Sequence, residues 1–174
     1  PTIQQAFYLA RSGRPGPVLV DIPKDVLLAP GELTPAAPLN LPGYRPTVIP
    51  HRRQIRRAAE LIRQAERPLI LAGHGILIAN ATDELVAFSE QAHVPVGLTL
   101  LGIGGFPASH PHCLGMVGMH GFTHANFAIN EADVLIGIGM RFDDRVTGRI
   151  SEFAPNARII HIDVDPAEIG KNVE

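Results

Sequence analysis

Residues 137 to 149 read Gly-Ile-Gly-Met-Arg-Phe-Asp-Asp-Arg-Val-Thr-Gly-Arg, so two arginines and two aspartates follow directly on a glycine turn. The guanidinium groups of Arg141 and Arg145 suit an anionic ligand, most simply a phosphate or diphosphate, because a planar fork of N–H donors matches its oxygens. The neighbouring carboxylates of Asp143 and Asp144 admit two readings. They are a pair for acid-base work or, more simply for sequence neighbours flanked by arginines, salt-bridge partners that position the loop. The preceding run, Asp133-Val134-Leu135-Ile136-Gly137-Ile138, has the short continuous apolar character of a buried parallel strand. A loop that follows such a strand sits at the carboxyl edge of the sheet, where α/β proteins bind ligands.

Two further glycine turns follow apolar runs: Gly73-His74-Gly75 after Pro68-Leu69-Ile70-Leu71-Ala72, and Leu101-Gly102-Ile103-Gly104-Gly105 after Val94 to Thr99. Taken singly, each is either a tight structural turn or a place where a ligand approaches the backbone; Gly73-x-Gly75 lacks the third glycine of the full dinucleotide fingerprint. Together with Arg141, Arg145 and a strand-end Asp163, whose carboxylate can accept hydrogen bonds from ribose hydroxyls, they favour a nucleotide cofactor. His110, His112, His120 and His124 fall in one stretch, and His120/His124 have the i, i+4 spacing of helical metal ligands. No glutamate stands between them and glycines flank His120, which favours a position beside the cofactor or in solvent over zinc ligation. Met116 and Met119 either pack on a flat ring or fill the core.

The elements that must position these residues alternate along the chain. Residues 1 to 13 read as the end of a helix closed by Gly13, so the chain begins inside a helix, and Pro17 to Ile22 reads as a strand stopped by Pro23. Prolines recur at 30, 35, 38, 42, 46 and 50 with almost no charge, the composition of an extended connector. This places the tail of one domain at 1–27, a linker at 28–50 and a further domain at 51–174. In the last of these, Ile55, Ala58, Ala59, Ile62 and Ala65 mark the apolar face of a helix. Leu85, Val86, Phe88 and Ala92 mark a second helix with Asp83 in its first turn, and a third lies near Thr123 to Glu131. A last strand, Arg158 to Val164, ends in Asp163-Val164-Asp165-Pro166. Alternation of this kind predicts an α/β fold with a parallel sheet and helices on both faces, which gathers four loops along one edge.

Bulk properties narrow the function classes. At 174 residues the length suffices for one well-buried domain plus fragments, and Gly and Pro together make 33 of the residues, a turn-rich content below that of low-complexity disorder. A formal net charge of −2 with no basic block argues against nucleic acid or polybasic membrane attachment. The one cysteine, Cys113, cannot form an internal disulfide and fits a reducing compartment. No run approaches the roughly 18 apolar residues of a membrane span, and none resembles a signal peptide.

The loop Gly139-Met140-Arg141-Phe142-Asp143-Asp144-Arg145-Val146-Thr147-Gly148 resembles the signature loop of the acetohydroxyacid (acetolactate) synthase large-subunit family, a group of thiamine-diphosphate enzymes. Other segments agree in order. Ser12-Gly13-Arg14-Pro15-Gly16-Pro17-Val18-Leu19-Val20-Asp21-Ile22-Pro23-Lys24-Asp25-Val26 resembles the end of the family's pyrimidine-binding domain. Leu114 to Gly121 and His161 to Lys171 are similar to two stretches of its central domain.

The resemblance implies a three-layer α/β/α central domain with a parallel, roughly six-stranded sheet that binds FAD, the flavin serving a mainly structural role. Carried over residue by residue, the FAD contacts fall on Arg14, Gly73, Gly75, Thr99, Leu100, Gly118, Met119 and His120. The remainder fall on Gly139, Arg141, Asp143, Arg145, Val146, Asp163 and Val164. It further implies thiamine diphosphate and Mg²⁺ in the full-length enzyme, which condenses pyruvate with pyruvate or 2-oxobutyrate in branched-chain amino-acid synthesis. The implied partners are the enzyme's own N- and C-terminal domains, a second copy in a homodimer or tetramer, and a small regulatory subunit. The implied location is the bacterial cytoplasm, or a plastid or mitochondrion in a eukaryote. The family's catalytic glutamate and its Gly-Asp-Gly metal motif belong to its other domains, and no Gly-Asp-Gly occurs here, so these residues alone are expected not to catalyse the reaction and carry no catalytic or metal-binding residue.

Overall fold

A computed structural model describes residues 1–32, 35 and 38–174, and these divide into two compact units, Pro1–Ile49 and Pro50–Glu174. The first unit holds two helices, α1 (Thr2–Arg11) and α2 (Lys24–Leu28). Gly13 follows α1 in the left-handed region, at φ +59°, as its place after a helix end suggests. The strand expected at Pro17 to Ile22 does not form. The segment has no regular secondary structure and joins no sheet among the described residues, and Leu19 stands 88% exposed. A strand needs a neighbour to satisfy its ladder, and an apolar run alone does not supply one.

The second unit is built in the order α3 (Arg52–Gln64), β1 (Pro68–Ala72), α4 (His74–Ile78), α5 (Thr82–Ala92), β2 (Val96–Leu98), β3 (Cys113–Met116), α6 (Thr123–Glu131), β4 (Val134–Ile138), α7 (Asp144–Thr147) and β5 (Arg158–Ile162). All neighbouring strands are parallel, in the order β3-β2-β1-β4-β5. The sheet therefore has five strands where roughly six were expected. The strand expected at Val94 to Thr99 is shortened to three residues, and the last strand ends at Ile162.

Alternation along the strands splits the core into two layers. Ile70, Ala72, Val96, Val134 and Ile136 face one way, onto Leu85 of α5 and the partly buried Ala58, Leu61 and Ile62 of α3. Leu69, Leu71 and Leu135 face the other way, onto Ala125 and Ile129 of α6 and onto Phe142. A sheet buried on both faces needs runs without polar alternation, which is why β1 and β4 read as continuous hydrophobic segments. In α3 the inward face is displaced from the expected one: Ile55 and Ala59 are exposed, and Leu61 packs inward instead.

The chain steps from β1 to β2 over the first face, through Ile76 and Leu85, and from β4 to β5 over the second, through Val146 and Phe153. Reversing direction while keeping right-handed crossovers requires this change of face. The point where the order reverses, between β1 and β4, is where the carboxyl edge of a doubly wound sheet offers its crevice.

Candidate functional site

Loops from every strand meet at that carboxyl edge. Gly73 and Gly75 follow β1; Thr99 and Leu100 follow β2; Gly118, Met119 and His120 follow β3. Gly139, Arg141, Asp143, Arg145 and Val146 follow β4, and Asp163 and Val164 follow β5. Fourteen of the fifteen residues singled out in the sequence thus share one edge of one sheet. The remaining one, Arg14, lies in the first unit.

At the reversal point the two central loops stay hydrogen-bonded past their strands. The Gly73 amide donates to Ile138 O and the Gly75 amide to Gly139 O, both at 2.9 Å. A Cβ on Gly75 would lie 2.6 Å from the Gly139 Cα, and one on Gly73 would run into the Gly139 carbonyl oxygen. These glycines are required by the close approach of one loop to the other, a packing role that spacing along the chain does not reveal. Gly104, by contrast, has open space where its Cβ would be and a φ of +95°, so its turn is conformational.

The second junction joins the β3 and β4 loops. The Met119 amide donates to Arg145 O at 2.9 Å, and Gly118, at φ +93°, has no room for a Cβ against the same carbonyl. A cleft of about 400 Å³ opens beside this junction, lined in part by Gly118, Met119, Asn126, Val146, Arg149 and Phe153.

The charged loop is held by its own residues. Arg141 Nη2 donates to Asp143 Oδ2 at 3.2 Å, and Arg145 lies 3.7 Å from Asp144, so the carboxylates act as ion-pair partners. Thr147 Oγ1 donates to Asp143 O at 3.1 Å, and the Thr147 amide to the same carbonyl, which fixes the start of α7. The apolar residues of the loop anchor it from below: Met140 and Phe142 are buried in the second core layer. Alternation thus sends Met140 and Phe142 inward and leaves Arg141 half-exposed and Arg145 more so. Each guanidinium has five N–H donors, and a single carboxylate contact leaves others for an anion. Exposed apolar surface from Leu100 and Met119 stands at the same edge, and Met119 Sδ lies 4.0 Å from Arg145 Nη1. Two cations beside apolar side chains and backbone loops are a donor set that fits a cofactor joining a diphosphate to flat rings.

The other flagged residues divide. Asp163 Oδ1 accepts from the Asp165 amide at 2.9 Å, so one oxygen of this carboxylate shapes the turn after β5. His124 stacks on Phe122 with ring centroids 5.4 Å apart and lies 2.9 Å from Leu114 O through Nε2, a structural role at the start of α6. His120 is exposed in the turn ahead of that helix. His110 and His112 belong to another neighbourhood, packed ring to ring at 5.1 Å, with His112 Nδ1 2.9 Å from Ser89 Oγ. Among the described residues no group of three or more histidine, cysteine, aspartate or glutamate side chains is arranged to hold a metal ion, and no helix is long and apolar enough to cross a membrane. Met116 is half-buried on β3.

Asn126 escaped the sequence reading. It carries both hydrogen bonds of a bridge to Gly118, and an asparagine one turn into a helix is usually a solvated polar residue, so no local signal distinguished it.

Comparison with known proteins adds an independent line. The family described as thiamine pyrophosphate enzyme, central domain, matches residues 55–174. Over 99% of its length the chain is 55% identical to the probable acetolactate synthase large subunit of Methanocaldococcus jannaschii, covering 30% of that protein. It is 53% identical to the acetolactate synthase large subunit of Corynebacterium glutamicum over 97% of its length, covering 27% of that protein. It is 46% identical to the acetolactate synthase large subunit of Pyropia yezoensis over 98% of its length, covering 29% of that protein. The chain therefore spans less than a third of the length of these relatives.

Proposed function

The chain belongs to the thiamine pyrophosphate enzyme central-domain family, and from that premise we propose that it is the FAD-holding central portion of an acetolactate synthase large subunit. The parent enzyme joins two 2-keto acids, pyruvate with pyruvate or 2-oxobutyrate, with thiamine diphosphate and Mg²⁺ bound by other parts of the protein. In this reading residues 1–27 are the tail of the pyrimidine-binding domain, 28–50 the linker and 51–174 the central domain. The partners are the parent's other domains, a second copy and a small regulatory subunit.

The observation that carries the reading is the placement of Arg141 and Arg145 on the loop after β4, half-exposed or more, at the reversal point of the sheet. They would take the diphosphate; Asp163 would accept from a ribose hydroxyl; Leu100, Met119 and His120 would flank the rings. Gly73, Gly75, Gly118 and Gly139 bring the loops close enough to present their backbone, and Thr99, Asp143, Val146 and Val164 complete the rim. Arg14 is assigned by the resemblance alone. When bound, the flavin would serve chiefly as a structural element, because condensation of two keto acids is not a net oxidation.

A second reading is favoured by one observation, the direct packing of Gly73 and Gly75 on Gly139. If those glycines serve packing alone, the unit is a spacer whose cofactor pocket is vestigial. Titration of FAD into the full-length protein, followed by the flavin absorption band and paired with a pyruvate assay for acetolactate, separates the two. Saturable binding that Arg141→Ala weakens supports the first reading, and absence of binding overturns it. Acetolactate formation by the 174 residues alone would contradict the assignment of catalysis to other parts of the enzyme.

A further inference from the structure

Asn126 lies within α6, whose buried residues Ala125 and Ile129 pin the helix to the second core layer. Its carboxamide reaches back to the turn after β3: Oδ1 accepts from the Gly118 amide at 2.8 Å and Nδ2 donates to Gly118 O at 2.9 Å. Both backbone polar groups of Gly118, its N–H and its C=O, are thereby held by one side chain. A carboxamide presents an acceptor and a donor side by side; a carboxylate presents two acceptors, and would set one against the Gly118 carbonyl.

The residue so held grips the charged loop. Gly118 is fixed at φ +93° with its α-carbon against the Arg145 carbonyl, and the next amide, that of Met119, donates to that carbonyl at 2.9 Å. A continuous chain of contacts therefore runs from the core-anchored helix through Asn126 and Gly118 to the backbone of Arg145.

We propose that Asn126 is a positioning residue for the anion-binding loop, holding the Gly118–Met119 segment in the geometry that fixes Arg145 before a ligand arrives. The inference rests on reading that loop as cofactor-holding, and it adds a residue outside the set assigned to the cofactor, acting through Gly118 and Met119. A loop fixed in advance loses less freedom on binding, so its affinity is higher than that of the same loop left free.

The test uses Asn126→Ala and Asn126→Asp, with amide exchange measured by NMR in the 174-residue chain and FAD affinity measured in the full-length protein. In both variants exchange at Met119, whose hydrogen bond does not involve Asn126 directly, accelerates about tenfold or more. FAD binding weakens about tenfold at a temperature where the variants remain folded, since a role in global stability alone leaves the affinity of folded molecules unchanged. Acceleration confined to Gly118, or unaltered FAD affinity in both variants, overturns the proposal. If the unsubstituted protein binds no FAD, the cofactor reading fails by itself, and the Met119 exchange rate still decides whether Asn126 holds the junction.

Discussion

Gly75 and Gly139 meet backbone to backbone across the reversal point of the sheet: the Gly75 amide donates to Gly139 O at 2.9 Å, and neither residue has space for a Cβ. The contact joins the loops after β1 and β4 at the point where the strand order reverses.

The contact makes a prediction that separates space from conformation. Gly139 and Gly148 have nearly the same φ, +57° and +59°, but a Cβ at Gly139 would meet the Gly75 backbone whereas one at Gly148 would meet nothing within 4 Å. Gly148→Ala, at φ +59° and ψ −128° in a region close to glycine-only, is expected to lose about 1–3 kcal/mol from backbone strain alone. Gly139→Ala should lose the strain of its own positive φ plus about 1–3 kcal/mol from overpacking against Gly75. Urea unfolding of the two variants measures the difference, and equal losses would show that the Gly75–Gly139 contact does not constrain the fold.

Removal of either loop arginine should separate stability from binding. The Arg141–Asp143 and Arg145–Asp144 pairs are solvent-exposed, and exposed pairs contribute on the order of 0–1 kcal/mol. Arg141→Ala and Arg145→Ala should therefore unfold within about 1 kcal/mol of the parent chain while weakening FAD binding about tenfold or more through loss of a charge-assisted hydrogen bond. A large loss of stability in either variant would instead assign the loop a folding role.

The sequence made the fold class readable because β1 and β4 are uninterrupted apolar runs, β5 carries three isoleucines between Arg158 and Ile162, and the helices between the strands carry clear periodicity. It did not reveal β3. Cys113-Leu114-Gly115-Met116 has no β-branched residue, includes Gly115 at φ +77° and follows a histidine- and proline-rich stretch, so only pairing with β2 makes it a strand. The opposite failure occurred at Pro17 to Ile22, where strong local propensity meets no neighbour among the described residues. At the candidate site, the arginine loop was visible because composition carries charge. The reasons for its shape were not: the Gly75–Gly139 approach and the Asn126–Gly118 bridge join residues that only the folded sheet brings together.

Ser89 offers a test away from the site. Its buried hydroxyl donates to Val94 O at 2.7 Å, and with its one proton so committed it accepts from His112 Nδ1 at 2.9 Å, which sets His112 in the Nδ1-protonated tautomer. Ser89→Ala leaves both partners short of a hydrogen bond and should cost about 1–3 kcal/mol. Thermal unfolding reads the loss, and the His112 ring nitrogen shifts in NMR should move with it; an unchanged His112 spectrum would place its tautomer under other control.

Asp133 ties the turn before β1 to the start of β4, and its stabilising effect should depend on pH with a definite sign. Its carboxylate accepts from the Glu66 amide at 2.7 Å and the Arg67 amide at 3.0 Å. Desolvation raises its pKa, but these backbone N–H groups together with those of Asp133 and Val134 outweigh it, and the net value falls below the ordinary aspartate range. A folded-state pKa below the unfolded one means that the contribution is complete above the unfolded value and is lost as pH falls through the folded one. Asp133→Asn keeps an acceptor but removes the charge. The melting-temperature gap between the parent chain and this variant should therefore be widest near neutral pH and shrink once pH drops below about 4. A gap that stays constant from pH 7 to pH 3 would mean that the carboxylate holds the turn by shape and hydrogen bonding alone, with no gain from its charge.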